Sequence, residues 1–84
     1  MKAMPKPVWL VRSRPDGGCD YVSFQIHQDL DAARVATVEM REGSHLPPQM
    51  PLLKHRHHLD LAEAERRRRL LQQQGGFRSS EPLF

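Results

Sequence analysis

Strict alternation of apolar and polar residues from Tyr21 to His27 constrains the fold of this chain more than any other feature. Val22, Phe24 and Ile26 fall on one side of this segment, and such a period of two is typical of a half-buried strand. Val8 to Arg14 is a second strand candidate, and the turn-forming sequence Pro-Asp-Gly-Gly separates the two. The sequence therefore predicts a β-hairpin.

Two more strand candidates follow the hairpin. Arg34 to Arg41 resumes the alternation after a polar stretch, Asp29 to Ala33, which predicts either a turn or one helical turn. Three prolines and a glycine predict a loop over Gly43 to Pro51, because proline lacks the backbone donor that a helix or central strand needs. Leu52 to Leu59 is a weaker strand candidate, with Leu53 and Leu59 predicted on one side, and it fits best at a sheet edge.

The clearest predicted element is a helix over Leu61 to Gln74. Asp60 is suited to cap its N-terminus, with Glu63 reaching back in a reciprocal arrangement, and Gly75-Gly76 supplies a left-handed stop. We expect Phe77, with Leu83 and Phe84, to complete the packing of the helix on the sheet. The predicted buried stripe of the helix consists of Leu61, Ala64, the aliphatic part of Arg68, and Leu71.

These elements predict an α+β fold with a small antiparallel sheet of three to four strands and one C-terminal helix packed on a face. We expect a flexible N-terminus over residues 1–7 and a single domain over residues 8–84. A chain of 84 residues buries only about 60% of its unfolded surface. We therefore expect no catalytic cleft, no enzymatic activity and no cofactor.

The cysteine content and the apolar segments bear on the compartment. A single cysteine, Cys19, cannot form an intramolecular disulfide, which is typical of a reducing cytosol. The apolar run from Val8 to Val11 is too short for a signal peptide, and no stretch approaches the ~18 apolar residues of a membrane helix. We expect a soluble cytoplasmic protein without membrane contact.

The C-terminal third resembles a known family. Leu52-Leu53-Lys54-His55-Arg56 precedes the helix, which is followed by Gly76-Phe77-Arg78 and then Glu81-Pro82-Leu83-Phe84. This arrangement is similar to that of a domain of unknown function in small proteins of marine cyanobacteria. Phe77 and Phe84 stand where that family usually has tryptophan, and arginines occupy helix positions where it has aromatic residues. The resemblance implies a compact α+β domain and no known activity.

The net charge of +3 is concentrated in the segment from Lys54 to Arg69. An anionic partner would meet a candidate surface of six residues: Lys54, Arg56, His58, Arg66, Arg67 and Arg69. Nucleic-acid binding is one hypothesis for this set, since clustered cations neutralise phosphates. The alternative is a solvated helix face, because four consecutive residues of a helix point in different directions and Glu63 lies four positions before Arg67.

His55 and His57 are the strongest metal candidates, because alternate residues of a strand share a face about 7 Å apart. The neighbouring cations Lys54 and Arg56 raise the cost of collecting a metal ion. We therefore predict no metal site.

Aromatic residues suggest a different surface. Trp9 and Tyr21 fall on the sides of their strands opposite the predicted core, and with Phe77 and Phe84 they form a candidate apolar patch. Our leading hypothesis is a non-catalytic accessory or regulatory module that binds a protein partner or a second copy of itself. Nucleic-acid binding through the cationic set is the alternative.

Overall fold

A computed structural model describes residues 7–28 and 36–84 of the chain. The predicted turn from Asp29 to Ala33 lies outside these residues, as does most of the predicted flexible N-terminus. The described elements are β1 (Val8–Ser13), β2 (Cys19–Gln28), β3 (Ala36–His45), β4 (Leu52–Leu59), α1 (Leu61–Gln73) and β5 (Arg78–Ser80).

The strands form one antiparallel sheet in the order β4-β3-β2-β1-β5. The predicted α+β class and the hairpin are confirmed, with Val11 opposite Tyr21 in the hairpin register. The predicted strand count of three to four was too low. The chain reverses at Gly76, which has a φ of 76°, and the next residues pair with the free edge of β1 as a fifth strand.

β3 is longer at its C-terminal end than predicted. Gly43, Ser44 and His45 continue the pairing with β2, although the sequence assigned them to a loop. Pro47 is the first proline of the predicted loop, so the three residues from Gly43 to His45 keep their backbone N–H donors. Gly43 also allows the Tyr21 side chain to pass close to its backbone, since a Cβ there would lie 2.6 Å from the Tyr21 hydroxyl.

One face of the sheet carries the hydrophobic core and supports α1. Five strand residues alternate toward this face and form most of the core: Leu10, Val22, Phe24, Val38 and Met40. From α1, Ala64 is buried and Leu71 packs against the core, as predicted. Leu61 is 49% exposed, contrary to the prediction. Only Asp60 separates it from the end of β4, so the first turn of the helix lies at the margin of the sheet.

The predicted Asp60 cap and glycine stop of the helix are confirmed, whereas the reciprocal contact from Glu63 is not formed. The Asp60 side chain accepts a hydrogen bond of 2.7 Å from the Glu63 backbone N–H. The Glu63 carboxylate accepts from arginines of the next turn, so its predicted reach back to Asp60 is replaced by ion pairs. The Phe77 N–H donates to the Leu71 carbonyl across the glycine pair, which ends the helix.

Arg12 and Phe77 hold the C-terminal end of α1 on the sheet. The Phe77 ring is buried in the core, and the Arg12 guanidinium lies 4.6 Å from its centroid. The same guanidinium donates to the Gly75 carbonyl at 2.8 Å and to Asp20 at 2.9 Å. A cation–π contact, a backbone hydrogen bond and an ion pair therefore meet where the helix ends.

The rest of the tail crosses to the other face of the sheet. We predicted that the helix and the aromatic tail pack on one face, but Phe84 contacts Trp9 and Tyr21 on the face opposite α1. This face is called the aromatic face below. β5 causes the difference. It pairs with β1 and forms the edge of the sheet, and the residues after it place Phe84 on the other face.

Candidate functional site

Three aromatic side chains from distant parts of the chain meet on the aromatic face. The Phe84 ring stands edge-on to Trp9 at 5.1 Å between centroids and to Tyr21 at 5.2 Å. Trp9 and Tyr21 are 5.8 Å apart, and His45 lies 5.8 Å from Phe84. Edge-to-face pairs at these distances are mutually stabilising, so the rings form one cluster.

The cluster forms one wall of a concave surface of about 330 Å³, called the aromatic groove below. Its lining consists of Trp9, Tyr21, Ser23, Arg41, Pro51, Leu53 and Phe84. A second concavity of about 270 Å³ lies against Phe84 and shares Trp9 and Arg41 with the groove. Ser23 and Phe84 also line both depressions.

Apolar side chains remain exposed around the aromatic groove. Phe84 is 61% exposed and Leu53 is 41% exposed. Met50, which precedes Pro51 of the groove wall in the chain, is 87% exposed. Exposed apolar side chains around a groove are a common feature of binding sites.

The predicted apolar patch is assembled only in part. The structure brings Trp9, Tyr21 and Phe84 together, but it places Phe77 on the opposite face, 8% exposed in the core. Phe77 follows the left-handed Gly76, which turns the chain toward the sheet beneath the helix end. Alternation in β1 and β2 identified Trp9 and Tyr21, whereas no local pattern reveals the position of Phe84.

An ion network around the buried Glu39 borders the aromatic groove and was missed by the sequence analysis. Glu39 is 7% exposed, and its carboxylate accepts from Arg41 and Arg56, each at 2.9 Å. Glu39 and Arg41 are two residues apart in β3, and Arg56 lies opposite Arg41 in β4. The network fixes the Arg41 guanidinium in the groove wall. Alternation in β3 places Glu39 on the face opposite to that of Val38 and Met40. This pattern was the available signal that Glu39 lies on the same face as Arg41.

The predicted cationic surface is divided between different parts of the molecule. Register places Arg56 and His58 on the aromatic face, opposite Arg41 and Glu39. Lys54 lies at the bulge between β3 and β4, where it lines a cavity of about 410 Å³ on the helix side, together with His55 and Arg12. The helix arginines belong to the helix side as well. The six cations therefore share no single face.

The bulge also separates two leucines that the sequence predicted on one side. Leu53 lies opposite Gly43 and lines the aromatic groove, whereas Leu59 lies opposite Val38 and packs against the core. The extra residue in β4 changes the alternation between them.

The four consecutive arginines of α1 are paired with two glutamates. Arg66 and Arg67 donate to Glu63 at distances from 2.6 to 3.0 Å. Arg68 pairs with Glu65, and Arg69 lies 3.6 Å from the same carboxylate. Hydrogen bonds from Arg66 and Arg67 hold the pKa of Glu63 well below its usual range, at about 2. The predicted ion pairs within the helix are present, and they reduce the free positive charge of this segment.

The histidines and the cysteine occupy separate positions. The rings of His55 and His57 are stacked with centroids 6.1 Å apart, and His57 Nε2 lies 2.9 Å from a Glu42 carboxylate oxygen. Cys19 lies opposite His45 in the β2–β3 register, and burial raises the pKa of its thiol. Within residues 7–28 and 36–84, no group of three ligating side chains is arranged to hold a metal ion.

Comparisons with protein-family models, with curated proteins and with solved structures found no match. Among the described residues, no helix combines the length and the apolar character needed to cross a membrane. The surfaces described above are therefore the basis for a functional assignment.

Proposed function

We propose that this protein is a non-catalytic binding module that contacts a partner protein through the aromatic groove. The observation that carries this proposal is the aromatic groove lined by Trp9, Tyr21, Leu53 and Phe84 on the sheet face that α1 leaves uncovered, where Leu53 and Phe84 are exposed and Tyr21 is buried beneath them. Its role is accessory or regulatory, since the groove offers contact surface without an arrangement of nucleophile and base.

The composition of the groove supports a protein as the partner. Tryptophan, tyrosine and arginine are the residues that most often dominate the energetics of protein interfaces, and Trp9, Tyr21 and Arg41 line this groove together. The groove is also pre-organised. The Glu39 network holds Arg41 and the ring cluster holds Phe84, so little side-chain freedom is lost when a partner binds.

The charge distribution favours this proposal over nucleic-acid binding. Arg66, Arg67 and Arg68 hydrogen-bond to glutamates of the same helix, and Arg56 is paired with the buried Glu39. Phosphates would have to compete with these pairs. A nucleic-acid surface would also need Arg56 and the helix arginines on one face, and these lie on opposite faces of the sheet.

We place the activity in the cytoplasm, because the single cysteine leaves the fold independent of an intramolecular disulfide. The resemblance of the C-terminal segment to the cyanobacterial family stays a prediction. It would add a family of relatives to this proposal, but no activity.

Two matched substitutions test the proposal. Leu53 in the groove is 41% exposed and Leu70 on the helix is 39% exposed, so Leu53→Gln and Leu70→Gln remove similar apolar surface from opposite sides of the molecule. Affinity capture from a nuclease-treated native lysate is the assay. We expect the unmodified chain to retain one protein at equal stoichiometry. Leu53→Gln should weaken the retention about tenfold, and Leu70→Gln should leave it unchanged.

Four results would overturn the proposal. Capture that is insensitive to Leu53→Gln would remove the groove from the interaction, and purification without any companion would remove the partner. Binding that is lost on nuclease treatment, and also lost when Arg66, Arg67 and Arg69 are replaced by glutamine, would show that the protein binds nucleic acid. Sedimentation of the purified chain as a dimer that Leu53→Gln dissociates would assign the groove to a second copy.

A further inference from the structure

β4 is a long edge strand. It has eight residues and ends the sheet on one side, whereas the opposite edge, β5, has three. Among the described residues, no strand pairs with the outer side of β4. Edge strands are templates for pairing with another chain, and short strands limit this tendency. β4 is not limited in this way.

The side chains of β4 determine which chain can pair with it. Five consecutive residues are basic or histidine, from Lys54 to His58, and β4 contains no acidic residue. Most of the strand is exposed, including Lys54, His55, Arg56 and His58. Antiparallel pairing of β4 with a second copy of itself would oppose cationic positions to one another, which is unfavourable. An acidic segment would form opposite-charge pairs instead.

We propose that the outer edge of β4 binds an extended acidic segment of the partner protein by β-strand addition. The inference rests on the proposed function and specifies the chemistry of its partner. Main-chain hydrogen bonds to β4 would supply the geometry of binding, as in other cases of strand addition. Acidic side chains on one face of the added strand would lie beside Lys54 and His55 on the helix side, and those on its other face would lie beside Arg56 and His58. These pairs would supply the selectivity.

The position of the aromatic groove agrees with this assignment. Leu53 belongs both to β4 and to the lining of the groove. A segment added along β4 therefore reaches the groove at the N-terminal end of this strand. The same partner can place an apolar side chain in the groove while its acidic residues lie along Lys54 to His58.

A synthetic peptide tests the inference directly. The probe is an eight-residue fluorescein-labelled peptide of alternating valine and glutamate, measured by fluorescence anisotropy against the purified full chain. A matched peptide has lysine in place of every glutamate. We expect saturable binding of the glutamate peptide that weakens as salt is raised, and no binding of the lysine peptide. Equal binding of both peptides, or no binding of either, would overturn the inference.

N-methylated peptides separate strand addition from charge attraction alone. Alternate residues of an added strand direct their N–H groups toward the edge that they join. We therefore prepare two versions of the glutamate peptide, methylated at the odd or at the even backbone nitrogens. One version should lose binding and the other should retain it. Retention or loss in both versions would show that the edge of β4 is not used as a strand partner.

Two charge reversals locate the binding site. Lys54→Glu and Arg69→Glu each change the net charge by the same amount, but Lys54 lies in β4 and Arg69 in α1. We expect Lys54→Glu to weaken the glutamate peptide about fivefold or more, and Arg69→Glu less than twofold. Equal effects would reduce the binding to net charge and overturn the inference. The methylated peptides remain decisive if Lys54→Glu does not fold.

The two proposals fail in different ways. If the lysate partner is captured through Leu53 but the acidic peptides do not bind, the strand-addition inference is wrong and the groove proposal stands. If capture does not depend on Leu53, the groove proposal is wrong, and the inference about its partner loses its basis.

Discussion

Truncation of Phe77 is the most severe test of how α1 is held on the sheet. Phe77 is 8% exposed, belongs to the core cluster and lies under the Arg12 guanidinium. Within α1, the buried residue is Ala64, which has a small side chain. Phe77 therefore supplies much of the apolar contact between the helical end of the chain and the sheet.

The expected magnitude follows from this burial. Phe77→Ala should lower the free energy of unfolding by about 3–5 kcal/mol, the usual cost of truncating a buried phenylalanine. A domain of this length is stable by about 4–13 kcal/mol at 0.05–0.15 kcal/mol per residue. The single substitution thus removes a large part of the stability and is expected to leave a partly unfolded population in water.

Phe84→Ala is the matched control. The Phe84 ring contacts Trp9 and Tyr21, but it is 61% exposed, so its truncation should cost about 1–2 kcal/mol. Urea unfolding followed by far-UV circular dichroism and by the fluorescence of the single tryptophan measures both variants. Equal losses, or a greater loss for Phe84→Ala, would refute the assignment of Phe77 to the core and of Phe84 to an exposed surface.

Two further substitutions test local features. Arg66 and Arg67 hold the pKa of Glu63 at about 2, so their ion pairs stabilise the folded state above about pH 4.5, and this stabilisation is lost as the pH falls toward 2. Circular dichroism should show a smaller acid-induced loss of stability for Glu63→Gln, and identical acid profiles would contradict this. A Cβ on Gly43 would lie 2.0 Å from the Leu52 carbonyl oxygen. Gly43→Ala should therefore cost more than about 2 kcal/mol in urea unfolding, and a neutral effect would refute the close approach of β3 to β4.

The sequence was sufficient to predict the elements whose signals are local. Alternation in Tyr21 to His27 identified β2 and its core face, because a half-buried strand must alternate. Asp60 and the Gly75-Gly76 pair bounded the helix to within one residue, because capping depends on neighbouring residues. The pairs of Glu63 with Arg66 and Arg67 also follow from helical spacing alone.

Features that depend on distant contacts were not predictable in this way. β5 contains Arg-Ser-Ser, which has no apolar alternation, and it is a strand because Phe77 directs it along β1. The bulge at Lys54 depends on the backbones of β3 and β4 together, so local alternation placed Leu53 and Leu59 on the same side. The position of Phe84 in the groove likewise requires the path of β5.

The most direct test of the central claim uses the single tryptophan, because Trp9 lies in the aromatic groove. Replacement of Trp9 by 5-fluorotryptophan gives one ¹⁹F resonance that reports on this surface alone. Titration with the partner obtained by affinity capture should shift or broaden that resonance in proportion to complex formation. A complex that forms at equal stoichiometry while the resonance stays unchanged would contradict the assignment of the groove as the contact surface.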